Sequence, residues 1–165
     1  MVRTAMVRFI YSGGVYDTDR EKVVENLTKC VALIVPLPKN IEIEFKRLSD
    51  SIYGETILDP RFPNRIRLSE TLTTKEILRP LVHELLHLNQ TFTGELSMQR
   101  DGSYVWQGKV FRVNTKGMTV GEWEKLPWEQ DVANTQDAVF FRAMKSFLVN
   151  YSGLDASCRQ TQTVL

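Results

Sequence analysis

The hydrophobic positions near the start of the chain recur at helical spacing and predict a first helix over 17–35. Valine, leucine and isoleucine return every three or four residues across this stretch. Thr18 and Glu21 have the spacing of a capping box, in which each side chain bonds the backbone of the other residue. Pro36 and Pro38 lack the backbone N–H that a helix needs. The pattern therefore predicts an N-terminal helix that ends before the first of these prolines.

The period of the pattern then shortens to two, which is typical of a half-buried strand. Isoleucine and phenylalanine alternate with charged residues over 41–46. Two more strands are predicted over 52–58 and 65–68. The connection over 59–64 is rich in turn-forming residues, which favours antiparallel pairing of these two strands. We therefore expect a small antiparallel or mixed sheet after the first helix.

A second helical stripe follows the sheet and ends near Gln90. Thr73 and Glu76 form another capping-box pattern where it begins. Pro80 stands about one turn later and removes a backbone hydrogen bond, so we expect a kink or a new helix start there. Because leucine dominates the rest of the stripe, the pattern predicts a buried central helix.

The last third of the chain predicts a small β-excursion over 104–113 and a long helix over 127–150. The dipeptide 107–108, Gln-Gly, is typical of a hairpin turn between two short strands. The residues after the long helix are rich in serine, threonine and glutamine. We therefore predict one domain over 1–150 and a polar tail over 151–165.

Composition and charge exclude several classes of function. The 165 residues are 42% hydrophobic and 25% charged, as in an ordinary globular domain. Twenty-one basic and 20 acidic residues give a net charge of +1 without a basic cluster, so neither nucleic acid nor an anionic membrane is an expected partner. The apolar runs also fall far short of the roughly 20 residues that span a bilayer.

The N-terminal residues and the two cysteines suggest where the protein works. Residues 1–10 lack the apolar segment and the small-residue cleavage site of a secretory signal. Cys30 falls inside the first predicted helix and Cys158 in the polar tail, which favours a buried thiol and a loose thiol over a disulfide. We therefore expect a reducing compartment, the cytoplasm.

The only two histidines of the chain, His83 and His87, stand four residues apart with Glu84 between them. Random placement would give this separation with a probability of roughly 0.01. On a helix, this spacing puts both imidazoles on one face, close enough to share a metal ion. Zinc is the natural metal, because it accepts two imidazoles and a carboxylate and leaves a position for water. The alternative is that both rings are half-buried packing residues.

A third ligand is needed, and it cannot come from a metzincin pattern, because Gln90 and Thr93 stand where that pattern has glycine and histidine. The downstream carboxylates that remain are Glu95, Asp101, Glu122, Glu124, Glu129, Asp131 and Asp137. Most of them are explained as solvated surface charges. Asp131 in particular should point about 200° away from Glu129 on the same helix, and we expect it to have no effect on a metal.

Glu129 differs from the other carboxylates because it lies on a stripe of the last helix that should face the core. The members of this stripe after Glu129 are Val132, Ala133, Gln136, Phe140, Ala143 and Phe147. The position predicts an inward carboxylate that could reach a metal. The competing explanation is that an acid in the first turn stabilises the positive end of the helix dipole.

The motif and its surroundings resemble the gluzincin branch of zinc metallopeptidases. The His83-Glu84-Leu85-Leu86-His87 helix follows a helix and a small sheet, and it precedes a helix that bears Glu129. More narrowly, the chain is similar to the compact minigluzincins and to small metallopeptidases encoded by bacteriophages and bacteria. In those proteins a Trp-Gly hairpin region and a Pro-Trp-Glu segment follow the histidines, as residues 106–108 and 127–129 do here. The likeness covers 41–150.

The resemblance implies an α+β, zincin-like fold. A small sheet would pack on the central helix, flanked by an N-terminal helix and a C-terminal helix that carries the third ligand. It also implies Zn²⁺ held by His83, His87 and Glu129, with Glu84 as the general base of peptide-bond hydrolysis. A peptide or protein substrate would bind as an extended strand along the sheet edge at 52–57. We expect a monomer, in the cytoplasm of a bacterium or of a host cell if a phage encodes it.

A second hypothesis is a zincin-fold metal-binding, virion-associated or regulatory protein with little or no general peptidase activity. An intact Glu84 argues against it, since a structural metal site needs no base. The chain also departs from many gluzincins, which have an aspartate four residues after the ligand glutamate to bond a ligand histidine, where Ala133 stands here. Another partner for the histidines is therefore expected. Tyr104, Tyr151 and Arg142 could each stabilise an oxyanion, and no spacing chooses among them.

Overall fold

The computed structural model of the protein describes residues 4–12 and 17–151. The predicted polar tail, apart from its first residue, lies outside the described residues, and so does Cys158. Within the described ranges no helix combines the length and the apolar character needed to cross a membrane.

Seven strands and four helices form within the described residues. The strands are β1 (Met6–Tyr11), β2 (Asn40–Lys46), β3 (Gly54–Thr56), β4 (Arg65–Ser69), β5 (Leu96–Met98), β6 (Tyr104–Trp106) and β7 (Lys109–Phe111). The helices are α1 (Thr18–Ala32), α2 (Leu78–Phe92), α3 (Val120–Trp123) and α4 (Pro127–Tyr151). This architecture is α+β, as the sequence predicted.

The first four strands form a mixed sheet in the order β1-β2-β4-β3. β1, β2 and β4 are parallel, while β3 pairs antiparallel with β4 and forms an edge of the sheet. The predicted antiparallel pair is therefore confirmed, although the ladder of β3 covers three residues rather than all of 52–58. β1 was not predicted, because its apolar residues do not alternate cleanly with polar ones. It pairs in parallel with β2. Helix α1 connects the two strands and forms the crossover that a parallel pair requires.

The main hydrophobic core lies between the mixed sheet and the helices, chiefly α1 and α2. The alternating residues Ile41, Ile43 and Phe45 of β2 are almost fully buried, as the two-residue period predicted. Helix α2 contacts α1, α4 and strands β3, β4 and β5. It is therefore the central helix of the fold, since it meets both other long helices and both sheets.

The start of α1 differs from the prediction. Asp17 is the N-cap, and its carboxylate accepts hydrogen bonds from the backbone N–H groups of Asp19 and Arg20. An aspartate accepts these bonds as well as a threonine does, so the Thr18 and Glu21 box is not the cap. The helix ends at Ala32, short of the predicted residue 35, and Cys30 is buried in it as a free thiol.

The start of α2 agrees with both parts of its prediction. The backbone N–H of Thr73 donates to Glu76 Oε2 at 2.9 Å, and the backbone N–H of Glu76 donates to Thr73 Oγ1 at 3.3 Å. This box closes one turn before the regular helix begins at Leu78. Pro80 then lies in the first turn of α2. Backbone N–H groups in this turn have no carbonyl partner within the helix, so a proline here costs no hydrogen bond.

The β-excursion is a three-stranded antiparallel sheet in the order β5-β6-β7. Gln107 and Gly108 have φ values of 47° and 79°, so both turn residues adopt the left-handed conformation of a tight hairpin turn. The added strand β5 and the short helix α3, capped by Thr119, were not predicted. Helix α4 confirms the last predicted helix and packs against α1 and α2.

Candidate metal centre

The two histidines and Glu129 meet where α2 packs against the first turn of α4. His83 and His87 lie one turn apart on α2, as their spacing predicted, with ring centroids 4.8 Å apart. Glu129 is in the first turn of α4 and is only 8% exposed. Among the described residues, these three are the group of histidine, cysteine and carboxylate side chains that could hold a metal ion.

The donor atoms of the three side chains converge on one point. His87 Nε2 lies 3.1 Å from His83 Nε2 and 3.2 Å from Glu129 Oε2. His83 Nε2 lies 3.5 Å from the same carboxylate oxygen. A tetrahedral ion with bonds of roughly 2.1 Å holds its ligand atoms about 3.4 Å apart. The spacing and the two-imidazole, one-carboxylate donor set therefore fit a zinc-like ion.

The other nitrogen of each imidazole is held by a glutamine. His83 Nδ1 bonds Gln136 Oε1 at 2.9 Å, and His87 Nδ1 bonds Gln90 Oε1 at 2.9 Å. An amide oxygen only accepts hydrogen bonds, so each Nδ1 is the donor and, in a neutral ring, each Nε2 keeps its lone pair. In the neutral rings that a metal needs, the lone pairs therefore point to the place where the three side chains converge. Without a metal, protonated rings donate from Nε2 to Glu129 instead.

The charges of the cluster are strongly coupled. Burial disfavours the ionised form of Glu129, but the hydrogen bonds from both histidines outweigh it and lower the pKa of the carboxyl to about 2. Burial likewise disfavours protonated His83, yet its hydrogen bond to Glu129 and the charge of Glu84 raise its pKa to about 9. The pKa of His87 is raised for the same reason. The Glu129 carboxylate is therefore ionised beside the two imidazoles.

Glu84 lies on the same helix but is not one of the three converging groups. Its side chain is buried against edge strand β3, where Thr56 Oγ1 donates to Glu84 Oε2 at 2.8 Å. Burial raises the pKa of the Glu84 carboxyl. A Cβ at Gly54 would lie only 2.8 Å from Glu84 Cγ, so the glycine leaves the space that this side chain fills. Glu84 is therefore positioned by β3, the strand at the edge of the mixed sheet.

A second, aromatic core fixes the first turn of α4. Trp128 precedes Glu129 and is 1% exposed. Tyr104 of β6 stacks on it with ring centroids 4.9 Å apart, and Phe111 of β7 meets it edge-on at 5.8 Å. These two ring contacts fix the direction of the turn that presents Glu129. The small sheet therefore has a direct part in forming the site.

Of the three residues suggested as oxyanion donors, Tyr104 stacks on Trp128, the neighbour of Glu129 in the chain. Burial and the charge of Glu129 raise the pKa of its hydroxyl. Tyr151 packs against Phe147 at the far end of α4, and Arg142 is exposed on that helix. The structure thus separates three residues that the sequence could not rank.

The other downstream carboxylates have different partners. Asp101 bonds Ser103, Glu122 caps α3 with Thr119, and Asp137 pairs with Arg79 at 2.7 Å. Glu95 receives a long hydrogen bond from Gln107, and Glu124 is exposed. Asp131 accepts a hydrogen bond from Gln90 at 2.8 Å. The described residues thus bring Glu129, and none of these other acids, to the histidine pair.

Sequence reasoning missed the residues that orient the site. Gln90 served only to exclude a metzincin, and Gln136 was assigned to the inward stripe without a role. Ala133, placed on the same stripe, is exposed instead, because the buried side of the helix runs through Val132, Val139 and Ala143. A signal was present, since Gln90 is three residues after His87 and can fold back onto it.

Comparison with known proteins adds no family to this description. No protein-family model, no curated protein and no solved structure matches the chain. The function of the site therefore has to be argued from the geometry of His83, His87 and Glu129 and from the residues around them.

Proposed function

We propose that the protein is a zinc-dependent metallopeptidase of the gluzincin type. The observation that carries the proposal is the convergence of His83 Nε2, His87 Nε2 and Glu129 Oε2, with separations of 3.1 to 3.5 Å. These atoms match the two-histidine, one-carboxylate ligand set of catalytic zinc sites, which keep a fourth position open. The mixed sheet, the central helix and the ligand-bearing last helix are in keeping with a zincin-like fold.

The residues divide the chemistry between them. When bound, zinc would polarise the scissile carbonyl and lower the pKa of a water molecule. Glu84 accepts a proton from the water as its oxygen adds to the carbonyl carbon. The same carboxyl then gives that proton to the nitrogen as the carbon–nitrogen bond breaks, leaving a carboxylic acid and a free amine. The new acid then releases the second water proton and becomes a carboxylate. Its raised pKa suits a group that must both take and return a proton.

The substrate is proposed to be a peptide or protein segment in extended conformation. Strand β3 lies at the end of the strand order and, among the described residues, pairs with β4 alone. Its free edge can therefore add one more strand through main-chain hydrogen bonds. Thr56 of this strand contacts Glu84, so a peptide along the edge would run beside the proposed base.

One observation favours the second hypothesis, a metal-binding or regulatory protein without general peptidase activity. Glu84 is only 6% exposed and already bonds Thr56. A base in this position needs water to reach it from the metal side. Turnover must therefore be measured directly.

Metal analysis and a digest test the proposal together. Protein purified without added zinc should contain about one zinc per chain, and a broad peptide library should be cleaved at internal bonds. A chelator should abolish cleavage and added zinc should restore it. Bound zinc without cleavage of any peptide would support the second hypothesis. Failure to bind any divalent metal would contradict both.

A further inference from the structure

Gln90 is a buried amide with hydrogen bonds on all sides. The residue belongs to α2, and its side chain, which reaches α4, is almost fully buried, with the residue 1% exposed. Its Oε1 bonds His87 Nδ1 at 2.9 Å, and its Nε2 bonds both the backbone carbonyl of Trp128 at 3.0 Å and Asp131 Oδ2 at 2.8 Å. One side chain thus connects a proposed ligand to the helix turn that carries Glu129.

These bonds determine which way the amide faces. A carbonyl oxygen and a carboxylate oxygen accept hydrogen bonds only, so the NH₂ group of Gln90 must face Trp128 and Asp131. Its oxygen must then face His87. Turning the amide over would set Oε1 against two acceptors and leave Nε2 against an N–H group. The orientation is therefore enforced by residues outside the metal cluster.

The same bonds determine the tautomer of His87. Because Gln90 Oε1 can only accept, His87 Nδ1 must carry the hydrogen. The neutral ring then directs the Nε2 lone pair to the point between His83 and Glu129 that a metal would occupy. Hydrogen bonds of this kind orient a ligand histidine and raise its affinity for metal.

We propose that Gln90 is a positioning residue of the metal centre, and that Asp131 acts on the same centre through Gln90 without touching a ligand. The inference rests on the proposed metal site. It replaces the expectation that Asp131 has no effect on a metal. Asp131 is not one of the converging groups, but its carboxylate accepts a hydrogen bond from Gln90 and so keeps that amide turned toward His87.

The two histidines should depend on their glutamines to different degrees. The side chain of His83 is 31% exposed and that of His87 is 9% exposed. Water can replace Gln136 at the half-exposed ring, whereas it has little access to the bond between Gln90 and His87. Gln136→Leu is therefore a matched comparison for Gln90→Leu.

We call the hydrogen bonds from Asp131 through Gln90 to His87 the relay. Zinc affinity, measured by competition with a coloured chelator, tests the relay without any assay of activity. We expect Gln90→Leu to weaken zinc binding by about 10- to 100-fold. Asp131→Ala should weaken it less, because the Trp128 carbonyl still holds the amide. Gln136→Leu should also have the smaller effect. Asp137→Ala removes a carboxylate from the exposed face of the same helix and should leave affinity unchanged.

A rescue experiment separates positioning from simple loss of packing. Gln90→Glu places a carboxylate against Asp131 and should weaken zinc binding. Adding Asp131→Asn supplies an NH₂ donor and should recover part of the affinity. In zinc-loaded wild type, ¹⁵N spectra should show a protected Nδ1–H on His87, which is simple to assign because the chain has two histidines. That signal should be lost in Gln90→Leu.

The outcomes distinguish the relay from the site itself. If wild type binds no divalent metal, the proposed function fails. If wild type binds zinc and neither Gln90→Leu nor Asp131→Ala alters its affinity, the relay alone is wrong. If Asp137→Ala weakens zinc binding as much as Asp131→Ala does, the effect of Asp131 is one of net charge alone. The proposed role of Asp131 is then wrong. If Gln90→Leu does not fold, the relay is tested by Asp131→Ala and by comparing Gln90→Glu alone with Gln90→Glu combined with Asp131→Asn.

Discussion

Gly54 and Glu84 are complementary in shape across the interface of β3 and α2. A methyl group at Gly54 would lie 2.8 Å from Glu84 Cγ and 3.2 Å from Glu84 Oε1, and also 3.2 Å from Leu68. Atoms do not approach this closely without a shift. The edge strand can therefore pack on the central helix at this point only because residue 54 has no side chain.

Gly54→Ala should accordingly displace the Glu84 side chain or the strand. Overpacking of this kind costs roughly 1–3 kcal/mol of folding free energy, and we expect peptidase activity to fall while zinc remains bound. Urea unfolding and metal analysis measure the two effects. Gly121→Ala is the control, because a Cβ there meets nothing within 4 Å, and it should be neutral or slightly stabilising. Full activity in Gly54→Ala would show that the position of Glu84 does not matter.

Glu84→Gln tests the proposed general base. The amide keeps the shape of the side chain and an oxygen that can accept the Thr56 hydroxyl, so the variant should fold and hold about one zinc per chain. Hydrolysis should drop by about 10²- to 10⁴-fold because the base is lost. Peptide turnover and metal content give the answer. Unchanged turnover would remove Glu84 from the mechanism, and loss of zinc would make it a ligand.

Glu129→Ala tests the third ligand and, with it, the packing of α4 on α2. Loss of this carboxylate should weaken zinc binding as severely as His83→Ala does, and by more than the roughly 10- to 100-fold expected for an outer hydrogen-bond partner. Chelator competition on both variants measures the loss. Glu124→Ala, which removes an exposed carboxylate near the start of α4, is the charge control. Zinc retained at wild-type affinity in Glu129→Ala would refute the ligand set.

A partly buried ion pair on the mixed sheet, between Glu44 and Arg67, predicts a pH dependence of stability. Arg67 Nε donates to Glu44 Oε2 at 2.8 Å, and Ser12 donates to the same carboxylate. Burial alone would raise the pKa of Glu44, but these hydrogen bonds outweigh it and lower the pKa below that of the unfolded chain. The pair therefore stabilises the fold above the unfolded pKa, and the contribution is lost as pH falls through the folded pKa.

Glu44→Gln should lower the free energy of unfolding by about 1 kcal/mol at pH 7. The difference in free energy of unfolding between wild type and Glu44→Gln should become smaller between about pH 5 and pH 3. This range follows from the usual glutamate pKa of about 4.3, near which the carboxylate becomes protonated. Urea unfolding in the presence of a chelator, at several pH values, removes any effect of metal. A gap that stays constant with pH would mean that the ion pair contributes nothing and that only packing was lost.

The sequence by itself determined the features that depend on neighbours along the chain. Residues four apart on a helix share a face, so the spacing alone was enough to recognise the His83 and His87 pair. The alternation over 41–46 likewise predicted a strand with one buried face. The 107–108 hairpin followed from residues that tolerate a left-handed turn. In each of these cases a local backbone period or turn preference decides the outcome.

Tertiary structure alone decided which distant residues meet. Glu129 stands 42 residues after His87, and only the packing of α4 against α2 and the aromatic core brings its carboxylate to the histidines. Asp131 looked like a surface charge because its helical angle points away from Glu129, yet Gln90 reaches it from α2. Strand β1 has no clear period of its own and exists because β2 offers it an edge. Such contacts join residues far apart in sequence. A local stripe can indicate that Glu129 faces inward, but the residues it meets are set by the packing of the helices.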